Sequence, residues 1–247
     1  QGDGNGGEDT ASVTVTVNPV VISDPKIATG VLSQVATADW TTVALSQSYA
    51  SLVVVATPVH IPGDVPVVTR IGNVTSNSFD VRVQRVDGSA AALTGVGVHY
   101  VAVEAGVYTP AEHGIRMEAV KFTSTVTDRR GSWFGEQRSY ANSYSSPVVL
   151  GQVMSYNQAA HSVFWSRGSS RTVPPDANQL RVGKHIGEDP NHVRVSETIG
   201  YIVIESGSGT VNGLSYSASV GADIVRGTDN GVFTYSVSGL ANATSAV

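Results

Sequence analysis

The sequence has no cysteine, only two methionines and few charged residues, which make up 14% of the 247 positions. Without cysteine, the chain can form neither a disulfide framework nor a thiolate nucleophile or thiolate metal site. Its apolar runs are too short to cross a bilayer, and no basic and apolar signal segment opens the chain. We therefore expect a soluble protein with no membrane partner.

The chain also lacks an excess of positive charge. Its formal net charge is −5, with 15 lysines and arginines against 20 aspartates and glutamates. Proteins that bind nucleic acid usually present a positive field to the phosphate backbone. Nucleic acid is therefore not an expected partner.

What the sequence does contain favours β structure. Valine, serine and threonine are abundant, and β-branched side chains suit a pleated surface better than a helix. Short apolar or alternating runs are separated by clusters drawn from 26 glycines, 10 prolines and many Asn and Asp residues, the spacing typical of antiparallel sandwiches. No long window has a convincing 3.6-residue apolar period. The predicted strands are 41–45, 52–56, 79–86, 96–104, 148–154, 162–165, 180–185 and 199–205, and helix should be almost absent.

The chain repeats itself weakly but in order. Residues 48–55 are echoed by 143–150, 98–106 by 199–207, and 114–119 by 213–218. Three segments that recur in one order predict two related structural units. The predicted fold class is all-β, with two tandem antiparallel β-sandwich halves at 20–128 and 129–247.

The first residues form a separate segment. A Gly- and Asp-rich turn leads into the alternating run Ser12-Val-Thr-Val-Thr-Val17, which stops before Pro19. Residues 1–19 thus resemble the last strand of the Ig-like or cadherin-like repeats of large bacterial surface and secreted proteins. The resemblance implies a module of a longer secreted, extracellular or cell-surface polypeptide, with flanking domains as partners.

A second resemblance covers the first half. An apolar strand ending at Ala56, the turn Asn73-Val74-Thr75 leading to Phe79, and the later strand through Tyr100 are together similar to the H-type lectin domain. This resemblance implies a compact antiparallel sandwich that binds galactose-type or amino sugars through its loops, usually as a trimer. Tyr100 stands where that family typically has Trp, and the second half lacks the Asn-Val-Thr turn. No sugar-contacting residue of the family can be transferred to this chain.

The common enzyme motifs are missing: His-Glu-x-x-His, Gly-x-Ser-x-Gly, phosphate-binding loops and dinucleotide fingerprints are all absent. Glu104 and Glu205 occupy the same place in the two repeats, and a local salt bridge or hydrogen bond is the favoured role for each. Tyr100 should be a core residue and His99 an interior one. The alternative is a polysaccharide lyase or glycoside hydrolase that uses Glu104, His99, Tyr100 or the His and Arg residues within 166–194 as acid and base. We assign no catalytic residue.

The second half holds a basic insertion, which spans residues 166–194. It carries cationic residues that suit an anionic ligand, and two tryptophans, at its start and before it, offer flat faces to a sugar ring. The predicted ligand-binding residues are Trp165, Arg167, Arg171, His185, His192, Arg194 and Trp133. The alternative is that the charges pair internally with Asp176, Glu188 and Asp189. Trp40 is expected to pack against a core edge.

No cofactor is predicted. His185, Glu188, Asp189 and His192 lie close in sequence, and a structural Ca²⁺ bound through oxygen ligands is left open. The favoured function is a non-catalytic carbohydrate-binding module of a larger secreted bacterial protein, with a polysaccharide or other glycan as partner and an anionic one considered. The alternatives are the polysaccharide-degrading enzyme above and a structural adhesion or spacer module.

Overall fold

A computed structural model describes residues 24–61, 63–225 and 233–247. Over these residues the chain is all-β, with two tandem antiparallel β-sandwich halves and almost no helix, as predicted. The predicted strand within residues 1–19 lies outside the described residues. In the described part of the chain no helix is long and apolar enough to span a membrane.

The elements follow one another along the chain. They are β1 (Ile27–Val35), β2 (Thr41–Ala44), β3 (Leu52–Pro58), β4 (Val67–Gly72), β5 (Ser78–Arg85), β6 (Val96–Glu104), β7 (Gly106–Tyr108), α1 (Pro110–His113), β8 (Met117–Ser124), β9 (Thr127–Asp128), β10 (Glu136–Arg138), β11 (Pro147–Val153), β12 (Val163–Arg167), β13 (Leu180–His185), β14 (Glu197–Glu205), β15 (Gly207–Val211) and β16 (Leu214–Ala218). The only helix among the described residues is a single turn that begins at proline and ends at Gly114 in the left-handed conformation.

The two halves have the same strand order. In the first half the sheets are β1-β6-β3 and β2-β5-β4; in the second they are β8-β14-β11 and β10-β13-β12. β7 extends the second half's sheet beside β8, β9 pairs in parallel with β13, and β15 pairs with β16. Register agrees too, since Ala56 faces Tyr100 as Gly151 faces Tyr201. The sequence repeat is therefore also a repeat of topology.

Strand pairing adds a detail about the division of the chain. β8 and β9 lie before residue 129, yet they pair with β14 and β13 of the second half. The sheets of the second half thus include residues that the sequence groups with the first. A division into two domains at 128 stays a prediction.

Each half is filled by the inward-facing residues of its central strands. In β5 the alternation buries Phe79, Val81 and Val83, and the ring of Phe79 meets Tyr100 edge-on with centroids 5.2 Å apart. In β13 the same alternation buries Leu180 and Val182, which pack with Tyr201. Tyr100 is therefore a core residue, as predicted.

The halves share a continuous core at their junction. β3 is buried on both faces, and its unpaired edge points at β11 of the second half. Along that edge the N–H of Val54 lies 3.4 Å from Met154 Sδ, and that of Ala56 lies 3.4 Å from Gln152 Oε1. Gly200 of β14 brings its backbone close to Val53 and Met154. An edge that would otherwise be open to other strands is thereby covered.

Candidate functional site

The predicted basic insertion forms the loops on both sides of β13. Three of the predicted ligand-binding residues make one aromatic cluster: Trp133 stacks on His185 with centroids 4.0 Å apart and meets Trp165 edge-on at 5.4 Å. Trp165 and His185 are buried, whereas Trp133 is half-buried. The cluster packs the loop of residues 128–135 against the sheet, and of the three only Trp133 retains appreciable exposure.

A buried carboxylate shapes this loop. Asp128 accepts hydrogen bonds from the hydroxyl of Ser132 at 2.6 Å and from the N–H groups of Phe134 and Gly135 at 2.9 Å each. Arg167 adds a bond from its Nε to the carbonyl of Trp133 at 2.8 Å. Arg167 is therefore engaged in holding backbone.

The remaining charges of the insertion divide into paired and exposed groups. Arg194 bonds with Asp189 at 2.7 Å and with three backbone carbonyls. Arg130 lies 3.3 Å from Glu188, while Asp176 instead accepts two backbone N–H groups of its own turn. Of the three acids considered for the insertion, only Asp189 thus pairs with a cation of the insertion itself.

Two predicted residues stay at the surface. Arg171 is exposed, and His192 is exposed with its Nδ1 3.1 Å from Arg129 Nη1. Together with Trp133 they are the members of the predicted set that a ligand reaches most readily. Among the described residues, no three His, Asp or Glu side chains come together as a metal site, and this holds for His185, Glu188, Asp189 and His192 as well.

The two equivalent glutamates cap equivalent turns. Glu104 accepts the N–H groups of Ala50 and Ser51 at 2.7 and 2.6 Å, and Glu205 accepts those of Ser145 and Ser146 at 2.9 and 2.6 Å. These are the local hydrogen bonds favoured for both residues. His99 is half-buried and accepts the N–H of Ala246 at 2.9 Å.

A different feature stands out at the junction of the halves: a cleft of about 400 Å³. Its walls come from the end of β4 and the turn after it, from the segment that follows β11, and from β8 and β14. The lining residues are Trp40, Gly72, Asn73, Val74, Lys121, Met154, Ser155, Tyr156, Asn157 and Thr198. We call it the junction cleft.

Two aromatic rings form one wall of the junction cleft, and an arginine packs against them. Trp40 and Tyr156 meet edge-on with centroids 5.2 Å apart, and both are half-buried. The guanidinium carbon of Arg82 lies 4.8 Å from the Trp40 ring and 4.7 Å from the Tyr156 ring, and its Nη2 donates to the Tyr156 hydroxyl. Such cation–π contacts fix the rings in place. Gly72 allows this approach, because an added Cβ would lie 3.3 Å from Trp40.

A buried arginine packs against the ring of Tyr156. Arg70 is 1% exposed and donates to Gln84 and to the carbonyls of Gln158 and Ala159, the latter two at 2.9 and 3.1 Å. Its guanidinium carbon lies 4.5 Å from the Tyr156 ring. Burial lowers the pKa of Arg70 to about 10, which leaves it charged at neutral pH. The first half thus holds a loop of the second in a defined position.

The side-chain amide of Asn73 belongs to the same lining and is held by a carboxylate. Its backbone has φ of 47°, a left-handed conformation that Asn tolerates better than most residues. Its Nδ2 donates to Asp80 at 2.7 Å, and the other carboxylate oxygen of Asp80 accepts from Thr42 at 2.6 Å. This arrangement commits the amide nitrogen of Asn73 and leaves its carbonyl oxygen as an acceptor.

Sequence reasoning assigned Trp40 to a core edge and did not single out Tyr156. In the structure Trp40 does pack at an edge, but its ring also lines the junction cleft. Trp40 and Tyr156 belong to different halves and come together only through the packing of those halves. The available signal was Tyr156-Asn157-Gln158, an aromatic residue followed by two amides in a loop.

Fold and cleft together define the class: an all-β protein of two tandem sandwich halves, with an aromatic and amide-lined cleft where they meet. No family model matches the sequence, and no solved structure matches it. Over 242 residues the chain is 26% identical to halomucin from Haloquadratum walsbyi. The match covers 90% of this chain and 2% of halomucin, so the chain corresponds to a small section of that protein.

Proposed function

We propose that this chain is a non-catalytic carbohydrate-binding module of a larger secreted or cell-surface protein, and that the junction cleft holds the sugar. The observation that carries the proposal is the pairing of Trp40 and Tyr156 across one wall, with the amides of Asn73 and Asn157 in the same lining. The similarity to a short section of a much longer protein supports the modular part of the proposal.

The lining matches the chemistry of a sugar. The C–H face of a pyranose ring packs on aromatic rings, and its hydroxyl groups need fixed donors and acceptors, which amides supply in pairs. A volume of about 400 Å³ lies at the lower end of the range of small-ligand sites. Rings and amides that are already held by Arg82, Arg70 and Asp80 lose little entropy when a ligand binds.

The same lining favours binding over cleavage. Glycoside hydrolysis needs two carboxylates across the substrate, and the lining residues include no Asp, Glu or His in the part of the chain that the structure describes. Glu104, considered as an acid or base, has both oxygens engaged with backbone N–H groups. The hydrolase alternative thus has no carboxylate pair among the described residues of this cleft.

The experiment compares two tryptophans on one glycan. Wild-type protein is screened on a glycan array and by affinity electrophoresis in a panel of polysaccharides, and the best ligand is then titrated. Trp40→Ala should weaken binding at least tenfold, because it removes one ring of the wall. Trp133→Ala is the matched control from the set of ligand-binding residues predicted from sequence and should bind within twofold of wild type.

A second variant tests whether loss of binding could be explained by misfolding. Thr198→Trp adds a side chain to the cleft lining without removing Trp40 or Tyr156, and it should also abolish binding while far-UV circular dichroism and the melting temperature stay close to those of wild type. The proposal fails if wild type is retained by no glycan in the panel. It also fails as to the site if Trp133→Ala abolishes binding and the two cleft variants do not.

A further inference from the structure

The junction cleft has one charged group in its lining, and that group is a cation. Lys121 lies on β8, and its side chain is exposed. Met117 and Ala119 lie on the same face of β8 as Lys121, because side chains two residues apart point the same way. That face is turned towards the first half, and both residues are buried in the shared core. The ammonium group therefore sits at the rim of the cleft.

Within the described residues, Lys121 forms no ion pair. Two acids contact residues of the cleft lining, and neither pairs with Lys121 in the described part of the chain. Asp80 accepts from Thr42 and Asn73, and Glu197 accepts from Ser155 and from the N–H of Asn157. In a chain of net charge −5, this positive group is thus left without an internal partner.

A second cation stands behind the aromatic wall. Arg82 covers the rings of Trp40 and Tyr156, and its Nε is buried without a hydrogen-bond partner. Its charge adds to the positive potential at the cleft, where partial burial reduces screening by solvent. An anionic group is the ligand that such an arrangement stabilises most.

We infer that the junction cleft selects a sugar that carries an anionic group, a carboxylate or a sulfate, with the ammonium of Lys121 as its counter-ion. This inference rests on the proposed function and names the class of sugar for the same site. The neutral face of the ring packs on Trp40 and Tyr156, and the anionic substituent points to the β8 side of the cleft.

The test uses matched acidic and neutral polysaccharides. Polygalacturonate is compared with its fully methyl-esterified form, and κ-carrageenan with its desulfated form, by affinity electrophoresis and calorimetry at low salt. The two pairs separate a carboxylate from a sulfate as the recognised group. Wild type should bind at least one acidic polymer about tenfold more tightly than its neutral counterpart.

Variants then test which residue causes the preference for the acidic polymer. Lys121→Gln should lose most of that tenfold difference by weakening binding to the acidic polymer, and Lys121→Arg should keep it. Arg171→Gln removes the same charge from the exposed loop of the insertion and is the control, with the preference expected to stay within twofold of wild type.

The outcomes are distinguishable. Equal binding of acidic and neutral forms, with Lys121→Gln silent, overturns the inference but leaves the carbohydrate-binding function standing. Loss of the preference in Arg171→Gln rather than Lys121→Gln also overturns it, in favour of the insertion surface. Failure of wild type to bind any polysaccharide overturns the proposed function and the inference together.

Discussion

Glu104 and Glu205 occupy equivalent positions at the ends of β6 and β14. A substitution at one of them can therefore be compared directly with the same substitution at the other. Each carboxylate accepts two backbone N–H groups at 2.6–2.9 Å, and the side chains are 18% and 25% exposed for Glu104 and Glu205. A hydrogen bond to a charged acceptor contributes about 1.5–3 kcal/mol. Glutamine keeps one acceptor and turns an NH₂ group towards the other N–H. Glu104→Gln and Glu205→Gln should therefore each lower the free energy of unfolding by about 2 kcal/mol.

Because the two caps share no partner, their effects should add. The double variant should lose about 4 kcal/mol, measured by urea unfolding followed by far-UV circular dichroism. Glu188→Gln is the control, since that side chain is 76% exposed and has one contact with Arg130 at 3.3 Å, and it should change stability by less than about 0.5 kcal/mol. The reasoning would be refuted if Glu104→Gln or Glu205→Gln lowered the free energy of unfolding by less than about 0.5 kcal/mol. Clearly unequal losses for the two variants would refute it as well.

Two further predictions concern packing and ionisation. Gly200→Ala should lower the free energy of unfolding by about 1–3 kcal/mol, because the new methyl group would overlap Met154 Sδ and lie 3.0 Å from Val53; an unchanged melting temperature would contradict the tight junction. Burial raises the pKa of Tyr201 to about 12, against about 10 in an unfolded chain. Stability from this group is complete below pH 10 and is lost as the pH rises towards 12, since only the unfolded state then releases the proton. Tyr201→Phe should recover up to about 2 kcal/mol of that loss; equal melting temperatures of the two proteins near pH 11.5, after matching at pH 8, would exclude it.

The central strands were predictable because their patterns are long and their apolar content is high. β6 and β13 have the bounds expected from sequence. β1 was not singled out, since Gly30 interrupts it and, of its nine residues, only Val35 is fully buried. Edge strands of this kind leave a weak alternation, because one side faces solvent. Repetition of three segments was enough to anticipate the two halves of the fold.

The candidate site was less accessible to sequence reasoning. Charge density drew attention to the insertion, where the structure has Arg167 and Arg194 bonded to backbone and His185 buried under Trp133. A local excess of arginine indicates positive charge but does not reveal which carbonyl groups it will bind. The junction cleft depends on Trp40 and Tyr156 meeting across two halves, a long-range contact with no periodic signature.

The covered edge of β3 also bears on how the molecule unfolds. Met154 and Gln152 of the second half meet its free N–H groups, and removing them would leave buried donors without acceptors. Neither sandwich can detach while its neighbour stays intact without that penalty. The pair should therefore melt as one cooperative unit, and the junction cleft should persist until the whole molecule denatures.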